Sequence, residues 1–229
     1  VSASASSPRS LAVDAVLFDL DGTLADTAPD LGAAVNRLRV DRGLAPLPLA
    51  ALRPHASHGA RGLLGAGFGI TPADATYAEL NAAFLAHYES ALAVDSALFA
   101  GVPDVLDAIE SRKLKWGIVT NKATRFTEPV VSSLLLSPRA AVVVCGDTTA
   151  RAKPHPDPLL HAAKALDVAP SRCVYVGDSE RDVAAGIAAG MHTLVAMYGY
   201  IREEEMPHAW PADGHIDSPS ALIAWLPPL

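Results

Sequence analysis

Short apolar runs separated by amphipathic stretches constrain what this chain can fold into. The runs are Ala15–Phe18, Trp116–Thr120, Ala141–Cys145, Cys173–Val176 and Thr193–Ala196. Between them stand Val102–Ser111, Arg125–Leu135, Pro158–Leu166 and Arg181–Ala189, with apolar residues at helical spacing. Uninterrupted apolar strands are those buried on both faces, and regular strand–helix alternation places them in a parallel sheet between helical layers. Right-handed crossovers follow. Open α/β sheets of this kind bind ligands at the C-terminal ends of their strands.

One interval breaks the rhythm. From about Thr27 to about Ala97 no strand pattern appears. Leu31, Val35 and Leu38 have helical spacing, as do Tyr77, Leu80, Phe84 and Tyr88, with prolines and five glycines punctuating the middle. An interval of this length is too long for a structureless loop. It predicts a helical cap over 26–97, inserted into a core made of 10–25 and 98–229. The hinges fall near Asp26–Pro29 and Ser96–Gly101. Residues 1–9, rich in Ser and Ala, are expected to be disordered.

Composition excludes several classes. The 229 residues carry 18 Lys and Arg against 25 Asp and Glu, a net charge of −7. That balance argues against nucleic acid as a partner, which needs a basic surface. Val1–Ser10 has neither a basic nor an apolar segment and does not read as a signal peptide. The longest apolar runs are too short to span a bilayer. Cys145 and Cys173 sit in strand-like runs and read as buried free thiols. A cytoplasmic location fits these features.

The strand ends carry the chemistry. Val16-Leu17-Phe18 runs into Asp19-Leu20-Asp21-Gly22-Thr23-Leu24. Two carboxylates this close repel unless compensated, and a hard divalent cation compensates them through oxygen ligands. The alternative for the segment read alone is a strand end with a solvated Asp-Gly turn. The second run ends in Thr120-Asn121-Lys122, where a hydroxyl and backbone N–H groups suit a phosphoryl oxygen. A strand-to-helix cap is the plainer alternative. Lys153, in a proline-rich segment leading to a helix near Pro158, would neutralise carboxylates at the sheet mouth. The fourth run ends in Gly177-Asp178-Ser179-Glu180-Arg181-Asp182, with Asp178 and Asp182 one helical turn apart and able to face one point. Asp178 suits a metal ligand and Asp182 an acceptor behind it; a capped helix start would look the same.

In order, type and strand context, these four segments resemble the four motifs of the haloacid dehalogenase superfamily of phosphotransferases, across essentially the whole chain. The resemblance implies a Rossmann-like parallel sheet of order 3-2-1-4-5 with an inserted α-helical cap. The strands bearing Asp19 and Asp178 then flank the topological switch point. It implies Asp19 as nucleophile, Asp21 as general acid and base, and Thr120, Asn121 and Lys153 as phosphoryl-binding groups. Mg²⁺ would be held by Asp19, Asp178 and the backbone carbonyl of Asp21, with Asp182 behind. A carboxylate at position 21 matches the phosphatases and mutases of the superfamily and not its dehalogenases.

Substrate choice is expected to lie in the cap. Ser57-His58-Gly59-Ala60-Arg61 resembles the cap loop of the phosphoglycolate phosphatase-like subgroup, which implies Ser57, Gly59 and Arg61 as substrate contacts, with Arg61 suited to a carboxylate. Other segments, among them Trp116-Gly117-Ile118-Val119, Arg125-Phe126 and Tyr198-Gly199-Tyr200-Ile201, look like N-acetylmuramic acid 6-phosphate phosphatases. The partner implied is a small phosphorylated metabolite, 2-phosphoglycolate first and a sugar phosphate as the alternative. The chain is expected to be a monomer or weak homodimer. A phosphomutase or a phosphorylated receiver module would share much of the pocket; against a receiver, the doublet lies on the first strand and a large cap is inserted.

Overall fold

The computed structural model describes residues 10–229. The expected disorder of residues 1–9 lies outside that range. The core sheet is built from β1 (Ala15–Phe18), β4 (Lys115–Val119), β5 (Val142–Val144), β6 (Cys173–Gly177), β7 (His192–Ala196) and β8 (Gly214–Ile216). Its order is β5-β4-β1-β6-β7-β8, and every pairing in it is parallel. The first five of these in chain order reproduce the expected 3-2-1-4-5. The sixth, β8, has no counterpart among the apolar runs of the sequence. It is short and contains glycine, and Gly214 is required there because a β-carbon would run into the Trp225 ring.

Burial explains the strands. All four residues of β1 are inaccessible, as the central strand of a two-faced sheet requires. Phe18 pairs with Ile118 on one side and Val176 on the other. Helices α5 (Val102–Ser111), α6 (Thr124–Ser133), α7 (Asp157–Leu166) and α8 (Glu180–Ala188) supply the crossovers. Separate apolar clusters cover the two faces: Val16, Leu106, Ile109 and Trp116 belong to one, and Leu17, Leu159, Leu166 and Tyr175 to the other. Cys145 and Cys173 are free and buried.

The chain leaves the core through β2 (Ala25–Asp26) and returns through β3 (Ala97–Leu98), which pair antiparallel. Between them lie α1 (Ala28–Asp41), α2 (Leu49–Leu52), a 3₁₀ segment Arg53–His58, α3 (Gly59–Phe68) and α4 (Tyr77–Glu89). The two helical spacings of the sequence become α1 and α4. The glycine-rich middle, read as punctuation, is instead the helix α3. Its glycines allow close approach: at Gly67 a β-carbon would stand 2.7 Å from Val35 on α1, and at Gly62 2.5 Å from the His55 carbonyl oxygen. Leu31, Val35, Leu63, Leu64, Phe84 and Tyr88 form the cap's apolar centre, joined by Phe126 and Tyr200 from the core. Cap and core therefore share buried surface.

Candidate active site

At the C-terminal ends of β1, β4 and β6 the chain places Asp19, Thr120 and Asp178 at one mouth, beneath the cap. Lys153 lies at the centre. Its ammonium is 2.8 Å from Asp182 Oδ1 and 3.0 Å from Asp19 Oδ1, and it donates to the Tyr175 hydroxyl at 2.6 Å and the Val119 carbonyl at 2.9 Å. Burial alone would pull the Lys153 ammonium down, but Asp182 and Asp19 more than offset it and hold it charged. Asn121 fixes this lysine's backbone: its amide donates to the Lys153 carbonyl at 2.8 Å and accepts from the Lys153 N–H at 3.0 Å.

Asp182 does two jobs that the sequence left as alternatives. It closes a capping box with Ser179 at the start of α8, accepting from the Ser179 N–H at 3.1 Å and hydroxyl at 2.8 Å. It also anchors Lys153. Burial pushes its carboxyl up, yet Lys153 and Ser179 hold it below the ordinary carboxylate range. Thr120, by contrast, does not cap a helix. Its hydroxyl accepts from the Lys122 N–H at 3.1 Å, and α6 begins four residues later.

Asp21 is paired by a residue to which the sequence reading gave no role. Lys122 donates to Asp21 Oδ1 at 2.6 Å, and the Thr27 hydroxyl donates to the same oxygen, leaving Oδ2 without a partner among the described residues. Burial opposes the Lys122 charge, but Asp21 and Tyr88 drive its pKa upward overall. Lys122 stands beside Thr120 and Asn121 in the sequence, so the strand-end segment itself carried the signal.

Asp178 is the exception to this pairing. Its Oδ2 accepts from the Ser57 hydroxyl at 2.6 Å and the Tyr200 N–H at 2.7 Å. Its Oδ1 is buried and has no partner among the described residues. Burial, then the neighbouring Asp19 and Asp182, push its carboxyl up to about 8. Asp19 is also raised, to about 6, by burial, while Lys153 pulls it back. Carboxylate oxygens of Asp19, Asp178 and Asp182 lie within 4.8 Å of one another. Four buried or half-buried carboxylates thus face two lysines. An oxygen-only donor set with one orphaned oxygen and a net deficit of positive charge fits a hard divalent cation such as Mg²⁺. Asp19, Asp178 and the Asp21 carbonyl would hold it; Asp182 is taken by Lys153 and Ser179.

The cap completes a cavity of about 390 Å³ over these groups. Ser57, His58, Gly59 and Ala60 line it, so the cap loop does face the core. Arg61 does not. It is exposed and absent from the lining, because Gly59 and Ala60 occupy the inward positions of the first turn of α3 while the next residue turns away. The arginines that do line the cavity are Arg125 and Arg181, the latter donating to the Ser57 carbonyl. Leu31, Phe84, Tyr88 and Phe126 form an apolar wall. Tyr200, also without a role in the sequence reading, ties the hinge to the site. Its hydroxyl accepts from the Thr27 and Ala28 N–H groups at 2.7 and 3.0 Å and donates to Asp26 at 2.8 Å, which in turn pairs with Arg53 of the cap.

A half-buried carboxylate at the first strand end, a lysine held by a helix-capping aspartate and a second aspartate at the switch point, under a helical lid, together define a phosphotransferase site of the haloacid dehalogenase type. Residues 13–190 match the family model of the haloacid dehalogenase-like hydrolases, and the chain belongs to that family. It is 42% identical to an N-acetylmuramic acid 6-phosphate phosphatase of Pseudomonas aeruginosa, over 94% of this chain and 95% of that one. It is 45% identical to a phosphoglycolate phosphatase of Xanthomonas campestris pv. campestris, over 93% and 98%. Among solved structures, one described as a predicted phosphoglycolate phosphatase from Haemophilus somnus 129pt superposes with a TM-score of 0.80, covering 92% of this chain and 96% of that one at 23% identity, a likeness of fold. The chain is a phosphatase of this family, a phosphoric monoester hydrolase. No helix among the described residues is long and apolar enough to cross a membrane.

Proposed function

We propose that the site hydrolyses its ester through a phosphoryl group carried on Asp19, with Mg²⁺ at the acidic cluster. A carboxylate oxygen of Asp19 attacks phosphorus as the ester P–O bond breaks, and Asp21 Oδ2 gives its proton to the leaving alkoxide. Asp21 then takes a proton from water as that water attacks phosphorus. The bond to Asp19 breaks and inorganic phosphate leaves. The Thr120 hydroxyl and the Lys153 ammonium hold phosphoryl oxygens throughout. Lys122 keeps the Asp21 carboxyl oriented through Oδ1, and Asn121 positions Lys153. Bound Mg²⁺ would relieve the repulsion between the Asp19 carboxylate and the phosphoryl oxygens.

For the substrate, the cavity favours a sugar phosphate that bears an acid group, with N-acetylmuramic acid 6-phosphate the best-supported reading. The carrying observation is the cavity's size and wall. About 390 Å³ lined by Leu31, Phe84, Tyr88 and Phe126 lies in the range of about 300–1,000 Å³ that encloses drug-sized ligands. A two-carbon acid would leave most of that space to water. The relative at 45% identity keeps 2-phosphoglycolate as the second reading. One chain supplies every residue of the proposed reaction, which supports action as a monomer, and two free buried thiols suit a reducing cytoplasm.

The test is phosphate release with Mg²⁺ on both compounds. A kcat/KM at least tenfold higher on the sugar phosphate is expected. The reverse preference would move the substrate to the small acid and leave the chemistry intact. Consumption of a phosphorylated sugar without release of inorganic phosphate would replace the hydrolase with a mutase.

A further inference from the structure

The cationic side chains lining the cavity are Lys122, Arg125, Lys153 and Arg181. Three are already engaged: Lys122 by Asp21 at 2.6 Å, Lys153 by Asp182 and Asp19, and Arg181 by the Ser57 carbonyl. Arg125 alone donates no hydrogen bond among the described residues. Its nearest carboxylate, Glu89, is 3.7 Å away, and both side chains are about half exposed. Such a pair holds a guanidinium loosely. What orders Arg125 is Phe126, whose ring centre lies 4.4 Å from the guanidinium carbon. Stacking on a ring fixes the plane and leaves the N–H donors at its edge free.

The wall between these cations is continuous. Lys122 Nζ stands 5.0 Å from the Tyr88 ring centre, Tyr88 lies 5.6 Å from Phe126, and Phe126 carries Arg125. A cation therefore stands at each end, with two aromatic rings between them. The Lys122 end is where Asp21 and Asp19 act on phosphorus. We propose that Arg125 is a specificity residue that binds a carboxylate of the substrate at the other end of this wall, by charge-assisted and, in the fork geometry, bidentate hydrogen bonds. This rests on the sugar-phosphate reading above. A sugar ring spans the wall with its C–H face against the rings, whereas a single methylene leaves carboxylate and phosphate together at the Lys122 end. The role the sequence suggested for Arg61 thus passes to a residue of the core.

The experiment compares two sugar phosphates that differ in the acid group: N-acetylmuramic acid 6-phosphate, and N-acetylglucosamine 6-phosphate, which lacks the lactyl ether and its carboxylate. Kinetics are measured for the wild type, Arg125→Ala, Arg125→Gln and Arg125→Lys, with thermal melts as a check of folding. The ratio of the two kcat/KM values should fall roughly ten- to a hundredfold in Arg125→Ala and Arg125→Gln, mainly through KM. Arg125→Lys should recover part of the ratio. A ratio that stays at the wild-type value, whether both substrates lose equally or neither does, overturns the assignment. If the wild type itself hydrolyses 2-phosphoglycolate and neither sugar phosphate, the substrate reading falls and this one with it. That failure is seen without any variant.

Discussion

Replacing Gly22 by alanine should damage cation binding more than folding. Gly22 follows Asp21 with φ at +84°, and a β-carbon there would overlap Oδ2 of Asp178, with Cγ 2.8 Å and a Tyr200 ring carbon 2.9 Å away. Asp178 has little room to retreat, because Ser57 and the Tyr200 N–H hold the same oxygen. Left-handed backbone costs a non-glycine residue about 1–2 kcal/mol. Overpacking adds about 1–3 kcal/mol. At about 2–4 °C per kcal/mol for a protein of this size, the Tm should drop by about 4–20 °C. Gly190→Ala is the matched control: φ is +73° and nothing lies within 4 Å of a β-carbon, so only the backbone cost applies, about 2–8 °C. Mg²⁺ titrations of phosphate release should show half-saturation raised about tenfold or more in Gly22→Ala and unchanged in Gly190→Ala. If the two variants melt together and need the same Mg²⁺ concentration, the Gly22–Asp178 contact does not control the site.

Asp19→Asn should fold normally and release no phosphate above background, since an amide does not attack phosphorus; appreciable turnover in the folded variant would remove Asp19 from its role. Tyr200→Phe leaves the Thr27 and Ala28 N–H groups at the hinge without their acceptor. That should cost about 1–3 kcal/mol in urea unfolding, and a loss below about 0.5 kcal/mol would show that water replaces the hydroxyl.

How far the sequence reaches depends on whether a feature is local. The strands of the core were legible because a buried parallel strand is a run of apolar residues, and the site aspartates because they sit at the ends of such runs. β8 has no such run; it forms because Trp225 covers Gly214. The helix α3 was hidden because its glycines disfavour helix locally, and only the closeness of α1 gives them a reason. Arg61 matched a pattern, but facing depends on where α3 begins. Tyr200 is far in sequence from Asp26 and Thr27, so no spacing points to it. Lys122 was in plain view beside Thr120, yet its pairing with Asp21 needs β4 beside β1.

The charge balance of the site bears on stability as well as chemistry. Lys153 answers Asp19 and Asp182, and Lys122 answers Asp21, but no cation among the described residues bonds Asp178. Its folded pKa of about 8 lies above its ordinary value of 3.8. An acid raised on folding lowers stability above its unfolded pKa, and the cost grows with pH until the folded pKa is passed. At pH 7 this amounts to about 4 kcal/mol in the metal-free protein. Asp178→Asn keeps an oxygen for Ser57 and Tyr200 and removes the charge. In EDTA it should therefore melt above the wild type at pH 8, with the gap narrowing toward pH 5. Added Mg²⁺ should raise the wild-type Tm and leave the variant's unmoved, and the variant should have lost its phosphatase activity. A variant less stable than the wild type at every pH in EDTA would mean that Asp178 is compensated from within, and the argument for a cation at its orphaned oxygen would fail.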